Sequence, residues 1–437
     1  MNGFLNYLIN HLLTQPVLMI GILIALGYIV GKKSFEKIVT GTISAMVGIQ
    51  LVLFGGGQFS GAFKPITTAI SEKFGIQGYL MDSYAMKATS QEALGDKFAL
   101  VGYVFLIAFA VNIVLVYFGK YTKAKGIFLT GNAGIAHSQA ILWLVLTWLI
   151  TNDAISVIIA GVLVGVYWAF STTLAAGVID KVTDGGGFTV GHNQQLGIWF
   201  FGKIAHLFGD PEKDDAENLN LPGWLTIFNN NVTATCLIMI TFIGLFISPL
   251  GISGIQELAG KTHWVNYIIY IGINFSMYMV ILLNGVRMMC GELTASFKGV
   301  QERIIPNAIP AIDVAAILPF SPTAATLGFI FTTVGTVIAI GLLLIFKSPT
   351  IVLPGFVPLF FAGGPIGVVA NKLGGYKSVI VCSILLGLVQ TFGTVWAIDL
   401  MNYPGGVGWS GMFDFATFWP AITEGLKLIG NMLGLGV

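Results

Sequence analysis

Ten stretches of this chain are apolar for the length of a bilayer crossing, and that limits its fold before any motif is considered. A spanning helix needs ~20 mostly apolar residues. Such runs fall near 15–31, 38–57, 97–118, 127–150, 153–176, 231–250, 265–290, 323–346, 350–370 and 376–397, and an amphipathic tail near 411–436 offers an eleventh. Hydrophobic residues make up 55% of the chain and charged residues only 9%, against about 25% charged in a soluble domain. The solvent for most of this protein is therefore lipid, and the expected class is an all-α integral membrane protein of about eleven transmembrane helices.

The formal net charge of +1 excludes a nucleic-acid-type basic field. No GxxxxGK[ST] occurs, which argues against an ATP-driven pump within the chain, and neither a serine-hydrolase nor a zinc site is supported. Cys236, Cys290 and Cys382 each lie in or at the end of an apolar run, as packed thiols do, without a CxxC. No basic segment with a small-residue cleavage site opens the chain, so the span after Gln15 is expected to serve as its own targeting signal. Lys32, Lys33, Lys37, Lys120, Lys123 and Lys125 follow the first and third spans and share one side, cytoplasmic by the positive-inside rule. The same count puts the 177–230 loop, Lys298, Arg303, Lys372 and Lys377 on that side, and Lys64, Lys73, Lys87 and Lys97 on the other. Within the loop, "LGIWFFGKIAHLFGD" sets Ile198, Phe201, Ile204, Ala205 and Phe208 at helical spacing, which predicts an interfacial amphipathic helix.

An octapeptide is written twice, "GQFSGAFK" at 57–64 and "GELTASFK" at 291–298. Each comes after an apolar span and leads to an acid, Asp82 in "YLMDSYA" and Asp313 in "PAIDVAA". Further on, "FLTGNAG" pairs with "FFAGGPI", so that Gly131 matches Gly363 at nearly constant spacing. Five spans separate the copies, an odd number, which predicts an inverted-topology repeat with re-entrant segments meeting near the midplane. Breaks are expected at 55–57, 131–134, 306–310 and 363–365. The expected organisation is a first repeat at 1–176, a cytoplasmic-side loop with an amphipathic helix and a His192 tip at 177–230, and a second repeat plus a C-terminal span at 231–437.

Polar side chains inside such a frame need a partner or a task. Asp82 and Asp313 can cap helix N-termini, bind a ligand, or do both. Ser83 and Tyr84 offer hydroxyls beside Asp82, and Asn132, His137 and Gln139 enter a predicted span within "LTGNAGIAHSQAILW". "GFTVGHNQQ" contributes His192, Asn193, Gln194 and Gln195, amide and imidazole groups that can serve several hydroxyls without fixed charge; His192 can also accept a proton. Gln58, Glu292, Lys64 and Lys298 in the octapeptides are read as helix-end residues.

In chain order, "GQFSGAFKPI", "MDSYA", "FLTG", "VTDGGGFTVGHNQQ", "LPGWL", "AGKTHW", "RIIPNAIPAIDVAAI" and "PGFVPLFF" resemble the membrane (IIC) subunit of the bacterial phosphotransferase system for L-ascorbate over nearly the whole length. The resemblance implies a homodimer in the bacterial inner membrane. Each protomer would have an elevator-type core and a V-shaped dimerisation domain, and separate IIA and IIB proteins would phosphorylate the substrate. It needs no cofactor and puts no phosphorylation centre in this chain. Its ligand residues fall on Ser83, Tyr84, the stretch from Asn132 to Ala136, His192, Asn193 and Asp313. The chain departs from the pattern where "TGN" replaces an expected "TGH", where Ala136 and Asn193 replace Gln, and where Ser83 replaces Thr, which leaves a related polyol or sugar acid open as substrate. An ion-coupled symporter with Asp313 as coupling carboxylate is the alternative; a channel or structural membrane subunit is a third reading.

Overall fold

The computed structural model describes residues 15–74, 77–149, 152–219, 230–301, 305, 308–403 and 408–434. The first half runs α1 (Pro16–Val30), α2 (Phe35–Phe74), β1 (Gln77–Met81), α3 (Ser83–Leu94), α4 (Leu100–Tyr117), β2 (Gly126–Phe128), α5 (Gly131–Trp148), α6 (Asp153–Val182), β3 (Thr189–Val190) and α7 (Gln195–Ile204). The second half runs α8 (Asn231–Ile247), α9 (Gly251–Ala259), α10 (Trp264–Gln301), β4 (Ile309–Ile312), a 3-10 turn at Val314–Phe320, α11 (Pro322–Ile345), β5 (Thr350–Pro354), α12 (Phe356–Met401), β6 (Gly408–Trp409), a one-turn helix at Phe413–Ala416 and α13 (Phe418–Met432). In both halves a long helix leads to a strand, an acid, a short helix, a spanning helix, a second strand, further helix and a third strand.

Among the described residues, four helices are long and apolar enough to cross a membrane: Leu100–Tyr117, Asp153–Val182, Pro322–Ile345 and Val357–Met401. Helix α6 shows why lipid suits them. Ile155, Ile158, Val162, Val166, Phe170 and Leu174 recur at helical spacing on its exposed side, while Val157, Ala160, Val164 and Trp168 are buried on the other. Apolar on both faces, such a helix needs protein on one side and hydrocarbon on the other.

The expectation of an all-α chain is corrected by six short strands in two parallel sheets, ordered β5-β1-β6 and β2-β4-β3. Each central strand is flanked by two strands of the opposite half, β1 by β5 and β6, β4 by β2 and β3. Extended backbone at membrane depth has no water to satisfy it, so it survives only where other backbone does so. Asn112 of α4 extends one sheet by a side chain: its Nδ2 donates to the Gly126 carbonyl at 3.0 Å and its Oδ1 accepts from the Phe128 N–H at 2.8 Å.

Of the four expected breaks, the described part of 306–310 runs into β4, while 131–134 is already the first turn of α5 and the extended backbone lies just before it. The other two fall in helix interiors. Residues 55–57 lie inside α2 and residues 363–365 inside α12. The octapeptides therefore sit within long helices rather than at corners. Glycine serves close packing elsewhere in α2, where a Cβ on Gly48 would stand 2.7 Å from the Gly285 carbonyl oxygen of α10, whereas one on Gly61 or Gly291 of the octapeptides would meet nothing within 4 Å. The true bend in α12 is at Gly375, whose φ of 74° suits glycine. The acidic loop clasps this bend, with the Tyr376 N–H donating to the Asp214 carbonyl at 2.6 Å. Gly131 is the first helical residue after its strand; the corresponding start in the second half is Phe356, so Gly363 is not its counterpart.

The helix at 195–204 is amphipathic as expected, but Ile198 and Phe201 are buried against protein rather than laid on the membrane surface. Its Gly197 and Gly202 approach Phe413 and Val178. Glu292 accepts from the Tyr28 hydroxyl and pairs with Lys37 at 2.7 Å, tying α10 to α1 and α2. Gln58 is exposed. Cys236 and Cys382 are free thiols, Cys382 fully buried. The side chains of Lys64, Lys298 and Cys290 lie outside the described residues.

Candidate functional site

The two sheets end in two acids that start helices. Asp82 Oδ1 accepts from the Ala85 N–H at 3.1 Å and Asp313 Oδ1 from the Ala315 N–H at 2.9 Å. Each carboxylate thus satisfies a donor that a helix start leaves unpaired. Both side chains are buried, Asp82 to 1% exposure and Asp313 to 7%. Packing at the first tip is close: a Cβ on Gly355 would meet Asp82 Oδ2 at 2.5 Å.

Between these tips lie the third strands and the loops that leave them. The loop after β3 brings Asn193 to Ser83, and the loop after β6 brings Ser410 to the same place. The Ser83 and Ser410 hydroxyls are 2.8 Å apart, and Asn193 Nδ2 donates to them at 3.4 and 3.5 Å. His192 lies within electrostatic reach of both Asp313 and His137. Asn132, in the first turn of α5, accepts from the Lys87 ammonium of α3. Lys87 is partly buried here, not on an outer loop as the charge count suggests.

Other expected site residues stand behind this layer. Gln194 Nε2 donates to the Phe361 carbonyl at 2.9 Å and the Ala362 carbonyl at 3.4 Å. Pro365 explains the first bond, because it has no N–H to offer the carbonyl four residues before it. His137 is enclosed by rings: Phe415 stacks on it at 5.3 Å, Tyr167 approaches at 5.2 Å, and Trp168 Nε1 donates to its Nδ1 at 3.2 Å. Ala136 is buried, and Gln139 is 2% exposed. The Tyr84 side chain lies outside the described residues.

Asp414 carries no motif, and sequence reasoning misses it. Its carboxylate accepts from the Leu196 and Gly197 N–H groups at 3.1 Å each and from the Tyr167 hydroxyl at 2.5 Å. It thereby caps α7 from the second half of the chain. The Tyr167 hydroxyl also lies 2.6 Å from Gln195 Oε1. One proton cannot serve two acceptors fully, and turning the Gln195 amide over lets its nitrogen donate to the phenol instead.

Unpaired atoms define the chemistry open to this arrangement. Thr130 Oγ1, Gln139 Oε1, His192 Nδ1, Asn193 Oδ1 and Gln194 Oε1 are buried with no hydrogen-bond partner among the described residues. Native proteins leave few such groups, because each costs about 1–3 kcal/mol. Of these, Asn193 and His192 stand by the Ser83 and Asp313 tips, where unpaired amide and imidazole atoms beside hydroxyls suit a small molecule with several hydroxyls.

Two comparisons bear on that molecule. The profile of a family described as the PTS system sugar-specific permease component (EIIC-GAT) matches residues 11–421. The chain is also 28% identical over 427 residues to the ascorbate-specific PTS system EIIC component of Mycoplasma pneumoniae, an alignment covering 87% of this chain and 64% of that protein. The chain thus spans less than two thirds of the length of that curated relative.

Proposed function

This membrane protein belongs to the family of phosphotransferase-system sugar-specific permease components, and from that premise we propose that it binds and translocates L-ascorbate or a close sugar acid or polyol. The observation that carries this reading is the Ser83–Asn193–Ser410 cluster with the buried, unpaired Asn193 Oδ1 and His192 Nδ1. In this reading Ser83, Asn132, His192, Asn193, Ser410 and Asp313 meet the substrate hydroxyls. Tyr84 and Gln139 complete the lining, and Ala136, His137 and Gln194 hold the wall in shape.

Helix packing supports an elevator. Helices α1, α2, α8 and α10 pack on one another, whereas α4 to α7 and α11 to α13 pack around the tips. The first group would form the V-shaped dimer scaffold of a homodimer in the cytoplasmic membrane. The second would move the site across it, with the halves related by an inverted repeat and about eleven passes in all. Separate IIA and IIB proteins would supply the phosphoryl group, and this chain would hold a substrate hydroxyl in line for it and keep water out.

The test is uptake of labelled ascorbate into right-side-out or reconstituted vesicles whose lumen holds IIA, IIB and phosphoenolpyruvate or lacks them. Phosphorylated product should accumulate only with IIA, IIB and phosphoenolpyruvate present. Accumulation of unmodified substrate without them, driven by a proton or sodium gradient, would overturn the proposal.

A further inference from the structure

Helix α3 begins at Ser83, and Lys87 lies four residues on, so both side chains project from one face of that helix. Ser83 meets Asn193 and Ser410, while the Lys87 ammonium donates to Asn132 Oδ1 across the gap to the first turn of α5. Lys87 therefore spans the space between the first tip and the start of α5. Asp82, immediately before α3, is within electrostatic reach of the same ammonium.

An ammonium held at such a place needs a reason, because a charge in a membrane-embedded site is costly. Asp82 is one partner, but its Oδ1 is also engaged in capping α3. The second tip adds another carboxylate, Asp313, with imidazole rather than a permanent cation beside it. An anionic ligand entering between two carboxylates is repelled unless a cation faces it; a neutral polyol has no such need.

We propose that Lys87 is a specificity-determining residue that selects an anionic substrate, a sugar acid in its ionised form, over neutral polyols of the same size. This rests on the substrate reading above and refines it. The ionised oxygen of the ligand would face the Lys87–Asn132 pair, and its hydroxyls the Ser83–Asn193–Ser410 cluster. Asn132 orients the ammonium, which otherwise turns freely on a flexible stem.

The test is calorimetric binding to the purified full chain in detergent, using L-ascorbate, which is ionised at neutral pH, and the neutral L-gulono-1,4-lactone. The wild type should prefer ascorbate. Lys87→Met should cut that preference about tenfold or more, the scale of a hydrogen bond to a charged group, with far less change for the lactone. Lys87→Arg should keep the preference, and Lys87→Gln replaces the Met variant if that one does not fold. A preference unchanged in Lys87→Met, or equal loss for both ligands, overturns the role of Lys87 alone. A wild type that binds neither ligand, or prefers the lactone, overturns the ascorbate reading together with it.

Discussion

The two acid-capped tips share a backbone plan and differ in the segment just past the acid. After Asp82 comes a twelve-residue α-helix whose site-facing positions include Ser83 and Lys87. After Asp313 comes a 3-10 turn, Val314–Phe320, with apolar side chains and Pro319 inside it. The third strands divide the labour the other way. The β3 loop supplies His192, Asn193, Gln194 and Gln195, whereas the β6 loop supplies Ser410 and then Asp414, which clamps α7. In the proposed site, polar groups therefore come unequally from arms that share a backbone order: Ser83 and Lys87 from the first tip against Asp313 from the second, and the 192–195 run from the β3 loop against Ser410 from the β6 loop.

The largest effect that division implies is at the clamp. Asp414→Ala leaves two buried N–H groups of α7 and the Tyr167 hydroxyl without their acceptor, and should lower stability by about 3 kcal/mol or more, read as the unfolding midpoint in detergent. Ser410→Ala should leave that midpoint nearly unchanged while weakening ligand binding; matching midpoints for the two variants would remove the distinction between a ligand group and a clamp on this one loop.

At the tips, Val314→Ala should cost about 2 kcal/mol of stability through lost burial and spare ligand affinity. Ser83→Ala should do the reverse, weakening affinity about tenfold with little loss of stability. Paired thermal-shift and binding measurements decide it, and loss of affinity in Val314→Ala would show that the 3-10 turn after Asp313 also binds.

Gln194→Leu should cost about 1–2 kcal/mol by stranding the Phe361 carbonyl. In a Pro365→Ala background, where residue 365 regains an N–H for that carbonyl, the same substitution should cost less. Strict additivity in this double-mutant cycle would refute the pairing. The smallest effect is at the caps: Asp313→Ala should cost about 1 kcal/mol as a lost cap and Asp313→Asn only a few tenths, while Asp82→Ala should cost more because it also takes a carboxylate from Lys87. Equal losses in the two Ala variants would show that Lys87 does not lean on Asp82.

Much of this is legible in the residues. Acids in apolar surroundings have to be capped or occupied, and both Asp82 and Asp313 are capped. The amide run at 192–195 has to find hydroxyls or carbonyls, and it does. The strands are not legible, because two to five apolar residues in an apolar chain leave no alternation to detect. The glycines at 55–57 point to a break that does not occur, since they lie inside the continuous helix α2. Ser410 and Asp414 sit in "GVGWSGMFDF", where a lone serine and a lone acid read as an ordinary turn and cap. Counting loop charges puts Lys87 on an outer loop, since the count is blind to a lysine on a short helix that reaches across to α5.

The cross-pairing of the sheets also governs how this protein is made. Gln77 pairs with Thr350, about 270 residues later in synthesis. At about 5–20 residues per second, the wait is on the order of tens of seconds. For that time β1 and β2 stand with open edges in or beside the bilayer, where bare backbone groups cost most. Neither half can complete its own sheet, so the nascent first half needs a holding arrangement, a chaperone or a non-native pairing, until the second is inserted. A chain stalled after α7 should therefore be a better target for proteolysis than its hydrophobicity alone would suggest.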